Sequence, residues 1–260
     1  MKIKDVIEVI EEWAPISYAE DFDNVGLLIG NPSTSFSKAL ITLDTIERVV
    51  DEAILKECNL IISFHPIIFS PLKKLTYENY VERTVIKAIE NKISVYAIHT
   101  SLDNHKNGVN YKICEKLEIK NSEILIPKEE NKSIGMGRIG NLTKSMTESK
   151  FLDFVKTKMK TKIIRHSKLL KKRIHKVAVL GGSGSFAVQN AIQKKADVFI
   201  TSDLKYHNFY EANNKLLLLD IGHYESEQFT KNLIHDYLTK KFPNFGFILA
   251  STKTNPVNYF

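Results

Sequence analysis

Two apolar runs in this chain end on the same pair of functional groups, an imidazole and, four residues later, a carboxylate. The first is Val95-Tyr-Ala-Ile-His99-Thr-Ser-Leu-Asp103 and the second is Leu217-Leu-Leu-Asp-Ile-Gly-His223-Tyr-Glu-Ser-Glu227. Each reads as a strand that delivers a histidine at its end, with the acid one helical turn beyond. A third histidine closes another apolar run at Ser63-Phe64-His65-Pro66, where proline cannot donate to a central strand and the chain must turn. A mixed set of imidazole and carboxylate donors suits a divalent transition metal. A lone histidine can equally do no more than cap a strand end, so the repetition is what points to a site.

The repetition extends to the elements that must position these groups. At an offset of 138 residues, Ala39-Leu-Ile-Thr-Leu-Asp44 falls on Val177-Ala-Val-Leu-Gly-Gly182, and the run ending at Ser63 falls on the run ending at Thr201. Both copies read strand, helix, strand. The His99 and His223 motifs align at an offset of 124, so the connector before the motif is 14 residues shorter in the second copy. The expected fold is therefore α/β, with two related lobes from an internal duplication. Open α/β sheets bind ligands at the carboxyl ends of their strands. If the lobes face each other, His65, His99 and Asp103 meet His223 and Glu227 in the interlobe cleft. The expected division is 1–121 plus 222–260 for the first lobe with a C-terminal helix, and 122–221 for the second.

In chain order, Ile3, Val6, Ile7, Ile10 and Trp13 share one face of a helix over 2–13 that Pro15 ends. The loop Tyr18-Ala-Glu-Asp-Phe-Asp-Asn-Val-Gly26 carries three acids and can bind a cation or simply turn. Strand 39–44, helix 45–57 and strand 59–63 form a βαβ unit suited to a parallel, doubly covered sheet. A helix over 79–91, a strand over 93–98, a helix over 108–117 and strands over 122–127 and 134–142 follow. A helix over 147–159 leads to the second copy, which opens with a strand over 174–180. Gly181-Gly-Ser-Gly184 then precedes a helix through Lys195; it lacks the Walker Lys-Ser/Thr and the dinucleotide spacing, and a tight turn explains it as well as a phosphate does. After strand 197–201, Ser202-Asp203 reads as the N-cap of a helix over 204–213. A strand over 215–219, a helix over 224–240 and a strand over 246–250 complete the chain.

At 260 residues with 43% hydrophobic and 26% charged residues, the composition is that of a globular protein large enough for two modest domains. No apolar run approaches a membrane span, and Met1-Lys-Ile-Lys-Asp-Val-Ile lacks the layout of a secretory signal, so a cytoplasmic protein with no membrane partner is expected. Cys58 and Cys114, both mid-helix by pattern, have no second cysteine nearby and read as reduced, buried thiols. The net charge of +7 is concentrated, because residues 156–176 hold ten Lys or Arg and no acid. That run is the one candidate footprint for nucleic acid, although no aromatic side chain interleaves with it to stack bases.

The motifs Tyr18-Ala-Glu-Asp-Phe-Asp-Asn-Val-Gly26, Ser63-Phe-His-Pro66, His99-Thr-Ser-Leu-Asp103, Gly135-Met-Gly-Arg-Ile-Gly140, Thr201-Ser-Asp203 and Gly222-His-Tyr-Glu-Ser-Glu227 resemble, in order and over nearly the whole chain, those of the NIF-three-like family. Its members are often called type 2 GTP cyclohydrolase I. The resemblance implies a two-lobed α/β protein assembled as a homohexamer, with a dinuclear metal centre in the interlobe cleft. By position it assigns His65 and Asp103 to one metal, His223 to the other, and Glu227 to a bridge between them, with His99 beside the site in a supporting place; the chemistry of an imidazole there also makes His99 the candidate catalytic proton shuttle. The chain lacks the extra domain that longer relatives insert. It also departs from the pattern at Phe64, where many members carry a second histidine. A phenyl ring cannot coordinate, so the second ion is left with His223, Glu227, water and His99 as a substitute ligand, and weaker occupancy is expected there.

Up to two divalent ions per chain are implied, with Zn, Fe, Mn and Mg all compatible with such ligands. The implied reaction is hydrolytic opening of the GTP imidazole ring to dihydroneopterin triphosphate and formate. Two other readings stay open at this point: a hexameric metal-binding scaffold that docks protein or nucleic acid, and a metal-dependent phosphohydrolase.

Overall fold

The computed structural model describes residues 1–260. The chain begins with helix α1 (Ile3–Trp13), whose Ile3, Val6 and Ile10 are fully buried. Burial at that level is worth about 1.5–3 kcal/mol per side chain, enough to seat a helix whose spacing already made one face apolar. Next come β1 (Gly26–Ile29), β2 (Lys38–Thr42), α2 (Glu47–Leu55), β3 (Leu60–Ser63), α3 (Tyr80–Glu90), β4 (Ser94–Ala97), α4 (His99–Asn104) and α5 (Val109–Lys116). The chain continues through β5 (Ile119–Pro127), β6 (Gly135–Thr147), α6 (Glu148–Lys158), β7 (Arg165–His166), β8 (Arg173–Ser183), α7 (Val188–Gln193) and β9 (Val198–Ser202). It closes with α8 (Asn208–Glu211), β10 (Leu217–Asp220), α9 (His223–Glu227), α10 (Thr230–Lys241) and β11 (Gly246–Leu249).

These elements form two compact units, Met1–Leu102 with Thr230–Asn258, and Asp103–Phe229 with Tyr259–Phe260. The first unit holds a five-stranded sheet in the order β1-β4-β3-β2-β11. β2, β3 and β4 run parallel, and β1 caps the edge antiparallel to β4. β3 and β4 are buried throughout, and β2 from Ala39 on, as strands covered on both faces must be. One core packs Leu40, Ile61 and Val95 of the sheet against Val49, Val50 and Ala53 of α2 and Val85 and Ala88 of α3.

The second unit holds a six-stranded sheet in the order β5-β6-β8-β9-β10-β7. Here β8, β9 and β10 run parallel, and β7 caps the edge antiparallel to β10. Both units therefore contain a run of parallel strands, β11-β2-β3-β4 in the first and β8-β9-β10 in the second, closed by one antiparallel edge strand. The core of this unit gathers Ala178, Phe199 and Leu218 with Val188 and Ala191 of α7.

Several expected elements are shorter or differently placed. The helix expected over 204–213 is reduced to α8: residues 204–207, which follow Asp203 at φ 57°, are not helical, and Asn213 and Asn214 at φ 46° and 54° close the segment after it. The helix expected over 224–240 is two helices, α9 and α10, parted at Gln228 and Phe229. Cys58 lies in the turn between α2 and β3 instead of mid-helix, whereas Cys114 is in α5, and both are buried and free. Burial pushes both thiols up, that of Cys114 to about 11, which keeps them protonated. No helix is long and apolar enough to cross a membrane.

Candidate metal centre

In the first unit the site residues stand at the carboxyl ends of the parallel strands. β3 ends at Ser63, but its pairing continues: Phe64 N–H donates to Thr42 O at 3.1 Å and His65 N–H to Leu43 O at 2.9 Å. Pro66 then turns the chain. His65 is thereby fixed beside Asp44, which follows β2, with His65 Nδ1 2.8 Å from Asp44 Oδ1. The other Asp44 oxygen accepts from the Thr254 hydroxyl.

His99 opens α4 in a left-handed conformation, φ 25°, with its N–H on Phe64 O at 3.0 Å. Its Nδ1 lies 2.8 Å from Asp23 Oδ1, and Asp23 Oδ2 accepts from the Thr100 amide at 3.1 Å and from the Thr100 hydroxyl. Burial of Asp23 pushes its carboxyl up, but the contacts with His99 and Thr100 outweigh it and hold the group below the usual carboxylate range. The acidic loop after α1 thus supplies an orienting carboxylate. Phe64 is fully buried, its ring centroid 4.9 Å from that of His65 and 5.4 Å from that of His99. Aromatic packing therefore fills the position where a second histidine would stand. Asp103 is buried one turn after His99 on α4, and its backbone carbonyl accepts from Asn110 Nδ2 at 3.3 Å.

In the second unit, Gly222 at φ 90° makes the turn from β10 into α9, which begins at His223. His223 Nδ1 lies 2.7 Å from Asp203 Oδ2, and its Nε2 lies 3.2 Å from Glu227 Oε2, one turn along α9. Burial alone would lower the His223 pKa, but Asp203 and Glu227 reverse this and push it up to about 11. Both nitrogens of the ring therefore face carboxylates. Asp203 also accepts from the Ser183 hydroxyl. It does not cap a helix: its φ is 57° and α8 begins only at Asn208.

The glycine pair at the end of β8 has a physical reason. Gly182 has φ 68°, and a Cβ there would come within 2.4 Å of Glu227 Oε1. The pair therefore gives the Glu227 carboxylate room to lie against the backbone. Gly182 N–H also donates to Ser226 Oγ at 2.9 Å, which anchors α9 to β8.

One pattern recurs in all three histidines. His65, His99 and His223 each have Nδ1 taken by an aspartate, Asp44, Asp23 and Asp203, so coordination falls to Nε2. Carboxylate-fixed rings of this kind are the usual support for histidines that bind metal. Within the second unit His223 Nε2 and Glu227 Oε2, 3.2 Å apart, are donors that one metal ion could share, and within the first unit His65 and His99 stand with ring centroids 5.2 Å apart. The donor chemistry fits a divalent ion.

None of the three orienting aspartates was singled out as such by sequence reasoning, although a signal existed for one. At the offset of 138, Asp203 falls on His65. Asp44 and Asp23 carry no such mark, because each reaches its histidine from a different segment.

The whole chain has known relatives. A profile described as Duf34/NIF3 (NGG1p interacting factor 3) matches residues 1–256. A Clostridium acetobutylicum protein described as a GTP cyclohydrolase 1 type 2 homolog is 38% identical over 231 residues, which cover 87% of this chain and 85% of that protein. A Lactococcus lactis protein of the same description is 35% identical over 261 residues, 98% of each chain. Among solved structures, a Bacillus cereus protein related to NIF3 superposes with a TM-score of 0.95 at 25% identity, over 100% of this chain and 99% of that one.

Proposed function

The chain belongs to the Duf34/NIF3 family, and from that premise we propose a metal-dependent hydrolase in which His65, Asp103, His223 and Glu227 hold up to two divalent ions. The observation that carries this reading is the set of three histidines with Nδ1 fixed by aspartate, a costly arrangement for rings with no task at Nε2.

The proposed reaction is attack of one water at C8 of GTP, which breaks one C8–N bond and opens the imidazole ring to a formamide, followed by attack of a second water that breaks the remaining C8–N bond and releases formate. The description shared by the bacterial relatives favours it over other hydrolyses. His65, Asp103, His223 and Glu227 would hold the ion, which would supply Lewis acidity toward water and substrate. His99 takes up and returns a proton at Nε2, while the Asp23 carboxylate on Nδ1 stabilises the charged ring. Phe64 and Phe69, with ring centroids 5.4 Å and 6.4 Å from that of His99, limit bulk water around it. Asp203 holds the His223 ring in one orientation, and Gly182 keeps space for Glu227.

Incubation of the purified protein with GTP and added Mn, Fe or Zn tests the reaction. Formate is the expected product; release of phosphate instead makes the protein a phosphohydrolase, and neither product makes it a metal-binding scaffold. Elemental analysis of Glu227→Ala tests the bridge, with metal expected to be lost from both positions. Metal content equal to wild type would refute that role.

A further inference from the structure

The second unit also contains a cavity of about 570 Å³ lined by none of the candidate metal ligands or their aspartates. Its walls include Tyr206, Phe209 and Tyr210 from the segment around α8, and His166 and Lys168 from the basic run. The antiparallel pairing of β7 with β10, which sets His166 opposite Leu219, brings the basic run to the aromatic segment. The sequence separates these two groups by some forty residues, and only the fold makes them neighbours.

The aromatic side chains are displayed, not packed away. Tyr206 and Tyr210 are 69% and 67% exposed. They are also held in place: their hydroxyls are 3.0 Å apart, their rings meet edge to face at 5.7 Å, and His207 abuts Tyr206 at 5.1 Å. Phe209 carries the Arg165 guanidinium over its face at 5.1 Å, and Asp220 pairs with that guanidinium at 3.0 Å. Lys168 is exposed, Asn213 and Asn214 offer exposed amides, and no carboxylate lines the cavity. Preset aromatic faces beside an ammonium, with amides to meet a base edge and no acid to repel phosphate, are the elements of nucleotide recognition. The volume lies within the range of about 300–1,000 Å³ usual for small-ligand sites.

We propose that this cavity binds a nucleotide, its base stacked on Tyr206 or Tyr210 and its phosphate at Lys168. A free nucleotide and one residue of a single strand present the same chemistry. The site is independent of the metal centre.

Fluorescence anisotropy with a short labelled oligo(U) at low salt tests the proposal. The double variant Tyr206→Ala/Tyr210→Ala should weaken binding about tenfold or more. Lys168→Glu should weaken it and reduce the log-log salt slope by about one. Lys168 is exposed, so that variant decides the matter if the tyrosine variant fails to fold. Glu227→Gln should bind the probe as wild type does. Displacement by unlabelled UMP marks the free nucleotide as sufficient, and displacement by unlabelled oligo(U) alone marks the strand as the ligand. Absence of binding to either probe, or unchanged affinity in both cavity variants, overturns the proposal. A tyrosine variant that changes only the sedimentation mass does so too, because the rings would then serve contacts between copies of the chain.

Discussion

Asp203 shows how a single side chain can be read correctly by type and wrongly by role. Ser202-Asp203 before an apolar-periodic stretch has the composition of a helix N-cap, but its left-handed backbone turns the carboxylate onto His223 and Ser183. Asp203→Asn should therefore lower metal affinity by about 10–100-fold, as for other carboxylates that support a ligating histidine, read by isothermal titration with Zn or Mn. Helix content by circular dichroism should stay unchanged. Phe64 gives the opposite test. Its phenyl ring cannot coordinate, so wild type should hold one ion tightly and the second weakly, and Phe64→His should raise the count found by plasma spectrometry. Two tightly held ions in wild type would contradict this. The histidines and their paired acids were legible in the sequence because they recur at strand ends. Asp44 and Asp23 were not, because nothing in a linear chain marks which loop carboxylate reaches which imidazole.

Among the elements, long periodic helices and apolar parallel strands follow the sequence closely, since burial of one stripe or run decides them. The failures lie where local geometry overrides periodicity, at Asn213 and Asn214 and at the break between α9 and α10. The C-terminal segment after β11 is also fastened by an acid that no pattern marks. Glu52 of α2 is buried and accepts from the amides and hydroxyls of Ser251 and Thr252 and from Lys56. Burial pushes its carboxyl up, but these five donors win and hold it far below the usual range. A carboxyl lowered in the folded state contributes fully above its unfolded value of about 4.3 and loses that contribution as the pH falls toward the folded value. Glu52→Gln should thus cost roughly 2–3 kcal/mol at neutral pH. Urea midpoints at pH 7 and pH 3 check it: the gap between wild type and variant should narrow at the lower pH.

At the scale of the molecule, the two units share one four-strand arrangement, β2-β3-β4-β1 in the first and β8-β9-β10-β7 in the second. The first copy brings two histidines to its strand ends; the second brings one histidine with a glutamate and an aspartate. α2 and α3 of the first unit leave Leu55, Ile54 and Ile89 83%, 41% and 52% exposed. Apolar surface of that kind marks contact sites. The hexamer implied by the family resemblance predicts a sedimentation mass near six times the 29.7 kDa of one chain, and Leu55→Lys should lower it.

The three aspartate-held imidazoles also have a spectroscopic consequence. A neutral ring facing a carboxylate through Nδ1 is locked as the Nδ1–H tautomer, whereas free imidazole in water favours the other form. Of the eight histidines in the chain, His65, His99 and His166, the last facing Ser167 O at 2.7 Å, have an acceptor on Nδ1 and should keep a proton there in a long-range proton–nitrogen correlation spectrum. His223, whose Nε2 faces Glu227, should change its signature when a cation takes that nitrogen. The resonances of one ring thereby become a titration indicator for loading, readable without knowing what the protein acts upon.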